Sequence, residues 1–498
     1  MKSVSKPNQH RREDSVESAW LASTKPANKS GMPSPHEHLP WCTASTDIAA
    51  AGGAWRGMTP HEARLAASTA RTCLSATGGY GPWNSSDHAC WVRAPNLGNG
   101  SSELMYQPPH CSLPVVGAAS HGTARGHIRF VGDSVSMQHA RSFACFREPQ
   151  CGTTVDGWGV VVQGVCAQPG RDANAWLSDA SRMLHGVRLA DGATPRYDNS
   201  TIVQLLQFMR THAGIRETEF CTCTSVSRLR LNEAPPAALI DPLMYLLLRL
   251  GREDGSPLGA DPADAIVLNF GLWGKRGTQA SHSSRSVAPL VRWWAARLHN
   301  DSREDGHRLA ATAHHTRLPL LVYRETSPQH WLASASGYDA SLQQSFLGKR
   351  CVAASNAAGT MREPMAADCA FVRAAADDGS RAAGGSGSAA STIIDDIHVA
   401  LLPVFRPASA RDDEHPVQKF YRLSPMKTPP RPPHMPDCTH FCQGGAMYRF
   451  WNGALLAVVR GAAERRRRLS STSTAVLAPD GAVADPQLRQ MLEKACPA

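Results

Sequence analysis

The sequence predicts an α/β fold built on a central parallel sheet. Three short apolar runs carry the prediction: His127–Val131, Ala265–Phe270 and Leu318–Tyr323. Each ends at a Gly or at polar residues, and segments of helical character lie between them. That alternation is the pattern of a parallel sheet with crossover helices.

Residues 1–50 are polar, rich in Pro, Ser and His and without periodicity, and read as a disordered stem. Residues 52–115 place Trp55, Trp83 and Trp91 with Cys73, Cys90 and Cys111 among Gly, Pro and Asn. They read as a loop-rich, disulfide-tied cap in which the Trp rings pack. The strand His127–Val131 meets Gly132-Asp133-Ser134 and a helix running through Cys145. Gly157–Val165 reads as a strand, Ile202–Met209 as a helix or strand, and Leu239–Leu250 as a helix. A helix near Val287–Leu298 separates the second and third strands. Residues 374–391 are Ala, Gly, Ser and Asp, a flexible insertion. Order returns over Ile393–Phe405, and Trp451–Ala463 is a closing helix. The main domain is thus 116–463, and Arg465–Arg468 open a solvated basic tail over 464–498.

At 498 residues the chain has room for about three domains of roughly 150 residues, or for one large domain with insertions. The net charge is +10, with the basic residues scattered. There is no zinc-finger spacing and no basic-aromatic RNA-binding signature, so nucleic acid is not an expected partner. The longest apolar run, 239–250, is broken by Asp241 and Pro242, so no membrane span is written here.

The 14 cysteines include no pair of CxxC knuckles, and Cys221-Thr222-Cys223 is too tight for a structural zinc site; disulfides are the favoured reading. His36-Glu37-His38 and His314-His315 lie in polar sequence without further ligands, and no metal site is expected. Sequons at Asn28, Asn84, Asn99, Asn199 and Asn300 agree with a secretory setting. Residues 1–31 have no apolar signal core: either the true start lies upstream, which is the favoured reading, or export is not written here.

Four constellations carry chemistry. Ser134, at a strand end and helix start, is held at the carboxyl edge of the sheet, and its own N–H can face an oxyanion. Gly132 permits the turn, while Asp133 braces it or caps the helix. In Pro436-Asp437-Cys438-Thr439-His440-Phe441-Cys442, the spacing of Asp437 and His440 allows a carboxylate to orient an imidazole, inside a Cys-tied loop. A surface Asp and His, or a Cys/His metal site, are the alternatives. Asn269-Phe270-Gly271 follows a strand, where Asn269 either donates to an oxyanion or merely ends the strand. Arg324-Glu325-Thr326-Ser327-Pro328-Gln329-His330 follows the next strand. It offers groups for a glycan or acyl donor, or an ordinary Arg–Glu pair.

Together these blocks resemble the PC-esterase and trichome-birefringence-like group, SGNH/GDSL-type proteins with a GDS block early and a DxxH block late. The resemblance covers about residues 105–460, with His415-Pro416 as a weaker echo. It implies an SGNH-like three-layer α/β/α domain, Ser134 as nucleophile, His440 as base and acid, Asp437 as orienting partner, and Ser134 N–H with Asn269 in the oxyanion hole. Gly132, Asp133, Gly271, Arg324 and His330 would line the oxyanion or substrate site. It further implies O-acyl transfer, with acetyl as the leading group, to glycan or polysaccharide hydroxyls in the Golgi lumen or outside the cell. No bound cofactor is required, and a donor such as acetyl-CoA would be a co-substrate. An acetylesterase with the same triad and a non-catalytic glycan binder are the rivals. The sequence departs from the pattern at Val135, at Met137-Gln138-His139 and at Phe441, where the group commonly has Leu, Asn or Arg, and Trp.

Overall fold

The computed structural model describes residues 39–50, 52–69, 104–115, 126–147, 153–156, 159–162, 173–189, 192–212, 220–221, 226–231, 235–249, 258–270, 287–294, 296–297, 318–328, 330, 368–371, 373–374, 398–409, 411, 415, 417–418, 435–436, 440–441 and 445–471. Of the insertion expected over 374–391, Ala374 is helical and buried, and the rest lies outside these residues, as do the sequence from 472 onward and Cys73, Trp83, Cys90 and Trp91.

The strands are β1 (Ala54–Gly57), β2 (Leu104–Gln107), β3 (Ile128–Gly132), β4 (Thr153–Asp156), β5 (Gly159–Val162), β6 (Phe220–Cys221), β7 (Val226–Arg230), β8 (Ala265–Asn269), β9 (Leu320–Arg324), β10 (Val399–Leu402), β11 (Val417–Gln418) and β12 (Met435–Pro436). The main sheet has the order β10-β9-β8-β3-β7-β6. Its first five strands run parallel, and β6 pairs antiparallel with β7 at the edge. Numbered among themselves along the chain, the parallel strands lie in the spatial order 2-1-3-4-5. The sheet therefore grows first to one side of β3 and then to the other. The switch point, where open α/β sheets leave a crevice, lies between β3 and β8.

Each parallel strand is buried on both faces, and the two-residue period divides its side chains between two cores. Val131, Leu229, Ile266, Leu268, Leu321, Tyr323, Val399 and Leu401 enter one core. The alternating residues Ile128, Phe130, Val267, Leu320, Val322, Ala400 and Leu402 enter the other. The helices are α1 (Ser45–Ala49), α2 (Pro60–Thr69), α3 (Ser134–Arg147), α4 (Ala173–His185), α5 (Asn199–His212), α6 (Ile240–Arg249), α7 (Phe405–Ala408) and α8 (Ala446–Ser471). The first core is shared with α4, α5, α6 and helical residues 287–294. The second is shared with α3 and α8. In α6, Asp241 and Pro242 fall in the first turn, where Pro loses no helical hydrogen bond.

The expected strands at 127–131, 265–270 and 318–323 are present within one or two residues. Residues 202–209 are helical as part of α5, and within the strand expected over 157–165 residues 159–162 form β5, paired antiparallel with β4. Strand β7 was not anticipated. Its sequence, Val-Ser-Arg-Leu-Arg, does not read as a buried strand. Ser227 is nevertheless buried because its hydroxyl meets His127 Nε2 at 2.7 Å and Arg129 Nε at 3.0 Å, so polar partners on and just before β3 replace apolar packing.

Parts of the 52–115 segment are described, and they join the main core. The antiparallel β1–β2 pair places Trp55 and Tyr106 against Phe450 of α8, and Trp55 Nε1 donates to Pro407 O at 3.0 Å. A disulfide joins Cys42 to Cys111, and Cys369 is disulfide-bonded as well. The basic run Arg465–Arg468 lies in the last turns of α8, with Arg467 and Arg468 exposed and the first two arginines packed. Arg465 reaches Thr43 O at 3.2 Å and Arg466, 5% exposed, reaches Pro262 O at 3.3 Å. A guanidinium on a long apolar stem can lie along a packed surface and still satisfy its donors. The contact is close: a Cβ at Gly461 would lie 1.9 Å from Thr43 O.

Candidate active site

The site begins where β3 becomes α3. Gly132 has φ +153°, and a Cβ there would fall 2.2 Å from Asn269 O on the neighbouring strand, so the position accepts only glycine. Asp133 is the cap of α3. Its Oδ1 accepts from Val135 N at 3.0 Å and Ser136 N at 3.1 Å, and its carbonyl accepts from Met137 N at 3.0 Å. Ser134 is the first helical residue, and the Asp133 carboxylate accepts from the two N–H groups that follow that of Ser134. The cap reading of Asp133 and the nucleophile reading of Ser134 are thus compatible.

His440 comes from the loop before α8. Its Nε2 stands 2.8 Å from Ser134 Oγ. Both groups are partly exposed, at the carboxyl edge beside the switch point. Asp437 and Gly271 lie outside the described residues.

Asn269 ends β8, 1% exposed. Its Nδ2 donates to Arg324 O at 2.8 Å and to Thr326 Oγ1 at 3.3 Å, while the Thr326 hydroxyl donates to Asp368 Oδ1 at 3.0 Å. An N–H for an oxyanion would have to be released from one of these partners. In this geometry the amide instead braces β8 against the exit of β9.

Arg324 and His330 are 1% and 0% exposed, so neither is placed to touch a glycan from solvent. The Arg324 guanidinium lies over the Trp451 ring, 4.9 Å from its centroid, and Nη2 donates to Ser136 Oγ at 3.2 Å. It therefore sits beneath the first turn of α3. No carboxylate pairs with it directly among the described residues; the buried charge is opposed by Asp133 through space.

His330 Nδ1 meets His415 Nε2, and His415 Nδ1 donates to the backbone carbonyl of His440 at 2.6 Å. The 415 ring stacks on Phe441, centroids 4.5 Å apart. Burial of the two histidines and their contact were not readable in the sequence; the signals were His330 in the block after β9 and the His415-Pro416 dipeptide.

Burial raises the Asp133 carboxyl, against the lowering pull of Arg324, the cap hydrogen bonds and His440. Burial lowers the Arg324 guanidinium, which Asp133 partly restores. His139, caged by Phe130, Tyr448 and Trp451, is pushed well below the usual histidine range by burial and by Arg324, and stays neutral. At the exit of β9, burial and then the charge of Asp368 raise Glu325 to about 7. Burial raises Asp368 to about 6 against its bonds from Thr326. Among the described residues no group of three or more His, Cys, Asp or Glu is arranged to hold a metal ion. No helix among them is long and apolar enough to cross a membrane.

Comparison with protein-family models, with curated proteins and with solved structures finds no match.

Proposed function

We propose that the protein is a serine-dependent O-acyltransferase of SGNH/GDSL type, similar to the PC-esterase and trichome-birefringence-like group, acting on glycan hydroxyls in the secretory pathway. The observation that carries this reading is the 2.8 Å approach of Ser134 Oγ to His440 Nε2 across 306 positions of sequence. It is supported by the position of the pair at the switch point of the sheet, where open α/β folds bind ligands.

In this reading Ser134 Oγ–H donates to His440 Nε2. As Oγ attacks the acyl carbonyl, its proton passes to Nε2. The negative charge moves to the carbonyl oxygen, which faces the Ser134 N–H at the start of α3. Collapse expels the leaving group of the donor, acetyl-CoA or another activated acetyl, which takes the proton from His440. An acyl-Ser134 ester is left. A sugar hydroxyl then gives its proton to Nε2 and attacks the ester; the new sugar ester departs, and Nε2 returns the proton to Ser134. Asp437 is the candidate to orient His440 and to stabilise its imidazolium.

The experiment is labelling by a serine-reactive fluorophosphonate, followed by product analysis with an acetyl donor and oligosaccharide acceptors. Labelling that is lost in Ser134→Ala supports the enzyme. No labelling of the intact chain favours a glycan-binding protein. Acetate release without an acceptor product makes it an esterase.

A further inference from the structure

Arg324, the last residue of β9, is 1% exposed and touches the elements that carry both reacting groups. Its Nη2 donates to Ser136 Oγ, in the first turn of the helix that Ser134 opens, at 3.2 Å. Its guanidinium lies 4.9 Å from the ring centroid of Trp451 on α8, the helix that follows His440. Nε and Nη1 make no hydrogen bond among the described residues, and neither does Asp133 Oδ2. The positive charge is therefore not quenched by a carboxylate in contact, and it acts through space.

The acidic groups that bear on this charge are Asp133 first, then Tyr448, Asp368 and Tyr323. Burial keeps the Tyr323 phenol neutral, and Tyr448 gives its hydroxyl hydrogen to Gln138 Oε1 at 2.7 Å. Asp368 accepts from the N–H and the hydroxyl of Thr326. His139 feels Arg324 and stays neutral, while His440 bears on Asp133. Asp133 is thus the foremost anion that Arg324 opposes.

That opposition matters for an oxyanion at Ser134. The Asp133 carboxylate already sits at the N-terminal end of α3, accepting from Val135 N and Ser136 N. An oxyanion facing the Ser134 N–H is a second negative charge at the same helix end. In a buried setting solvent screens their repulsion poorly. A guanidinium fixed beneath the same turn offsets the first charge before the second one forms.

We propose that Arg324 is a positioning residue of the reaction: held beneath the first turn of α3, its charge offsets that of Asp133, so that the helix end can receive the oxyanion formed at Ser134. It acts through Asp133 and touches neither substrate nor the reacting atoms. The inference rests on Ser134 and His440 acting as nucleophile and base.

The test follows fluorophosphonate labelling of the intact chain, with kcat and KM for an activated acetyl ester, from pH 6 to pH 9. Arg324→Met keeps a long stem and removes the charge. At pH 9 it is expected to lower labelling and kcat roughly 10- to 100-fold, with KM unchanged within about twofold. The loss should shrink toward pH 6, because a protonated Asp133 has no charge to offset. Arg324→Lys keeps the charge and is expected to regain most of the rate. Adding Asp133→Asn to Arg324→Met removes the unopposed carboxylate and is expected to regain roughly tenfold at pH 9 and to flatten the pH dependence of the loss.

A role confined to packing predicts instead that Lys is as poor as Met, that the loss is the same at every pH, and that Asp133→Asn deepens it. Any of these results overturns the proposal. Far-ultraviolet circular dichroism and thermal melts show which variants are folded. Should Arg324→Met unfold, Arg324→Lys decides: a folded variant within about tenfold of the parental kcat supports the charge role, and a slower one overturns it. A folded Arg324→Met with the parental kcat overturns the role and leaves Ser134 chemistry intact. Labelling absent from the parent, or surviving in Ser134→Ala, overturns the catalytic reading and this role with it.

Discussion

Ser134 Oγ and His440 Nε2 stand 2.8 Å apart, one at the first residue of α3 and the other on the loop before α8. Those two helices pack on the same face of the sheet. Tyr448 donates to Gln138 Oε1 at 2.7 Å, and Asn452 donates to Ser142 Oγ at 2.9 Å. The approach of nucleophile to base is thus set by a helix–helix contact, with the reacting side chains at its end.

Removing either member of the pair tests the chemistry directly. Ser134→Ala and His440→Ala should each lower acyl transfer by roughly 10³-fold or more. Their combination should be little worse than either alone, because the two act as a unit. Initial rates with an activated acetyl ester measure this, and an additive double mutant would argue against a shared step.

Gly132→Ala should destabilise the chain by about 2–4 kcal/mol. The added methyl group would meet the backbone oxygen of Asn269, 2.2 Å from its ideal position, and φ +153° is unfavourable for alanine. Neither backbone can yield without disturbing the β3–β8 register. Chemical denaturation measures the loss.

Asp133→Ala removes the cap of α3 and the carboxylate that faces buried Arg324, and should cost more than the roughly 1 kcal/mol of a cap alone. Asp133→Asn retains an oxygen for Val135 N and Ser136 N and should recover the cap part. Equal losses from the two substitutions, in the same denaturation assay, would mean that the charge rather than the cap matters.

Asn269→Ala distinguishes brace from oxyanion donor. The brace reading predicts a stability loss of about 1–2 kcal/mol, because the amide joins Arg324 O to Thr326 Oγ1. A folded variant of unchanged stability whose kcat alone falls would restore the oxyanion role.

Glu325 and Asp368 make stability depend on pH. Burial favours their neutral forms, so they titrate at about 7 and about 6 when folded. The ordinary values, which hold in the unfolded chain, are 4.5 and 3.8. Within that window the folded chain binds protons that the unfolded chain has released, and stability falls as pH rises. Glu325→Gln keeps an acceptor for Phe405 N, whose bond to Glu325 Oε2 is 2.8 Å, and removes one titration. The variant should melt higher than the parent at pH 8, with the difference vanishing near pH 4. Melting curves across that range check the sign.

The sequence alone determined β8 and β9, because Ala265–Asn269 and Leu320–Arg324 are apolar enough to be recognised without context. It also marked Ser134 and His440 as residue types suited to nucleophile and base. Strand β7 escaped because Ser227 and Arg228 are buried beside partners supplied by distant residues, and local pattern contains no record of such partners. The roles of Asn269, Arg324 and His330 were left to the tertiary structure for the same reason. A polar side chain that faces solvent and one held below the surface have the same letter, and only the surrounding hydrogen-bond partners decide between them. The joining of position 134 to position 440 was decided last, by the packing of α8 on α3. Side-chain contacts between those helices draw the ends of a long chain together, and no spacing within either motif encodes that distance.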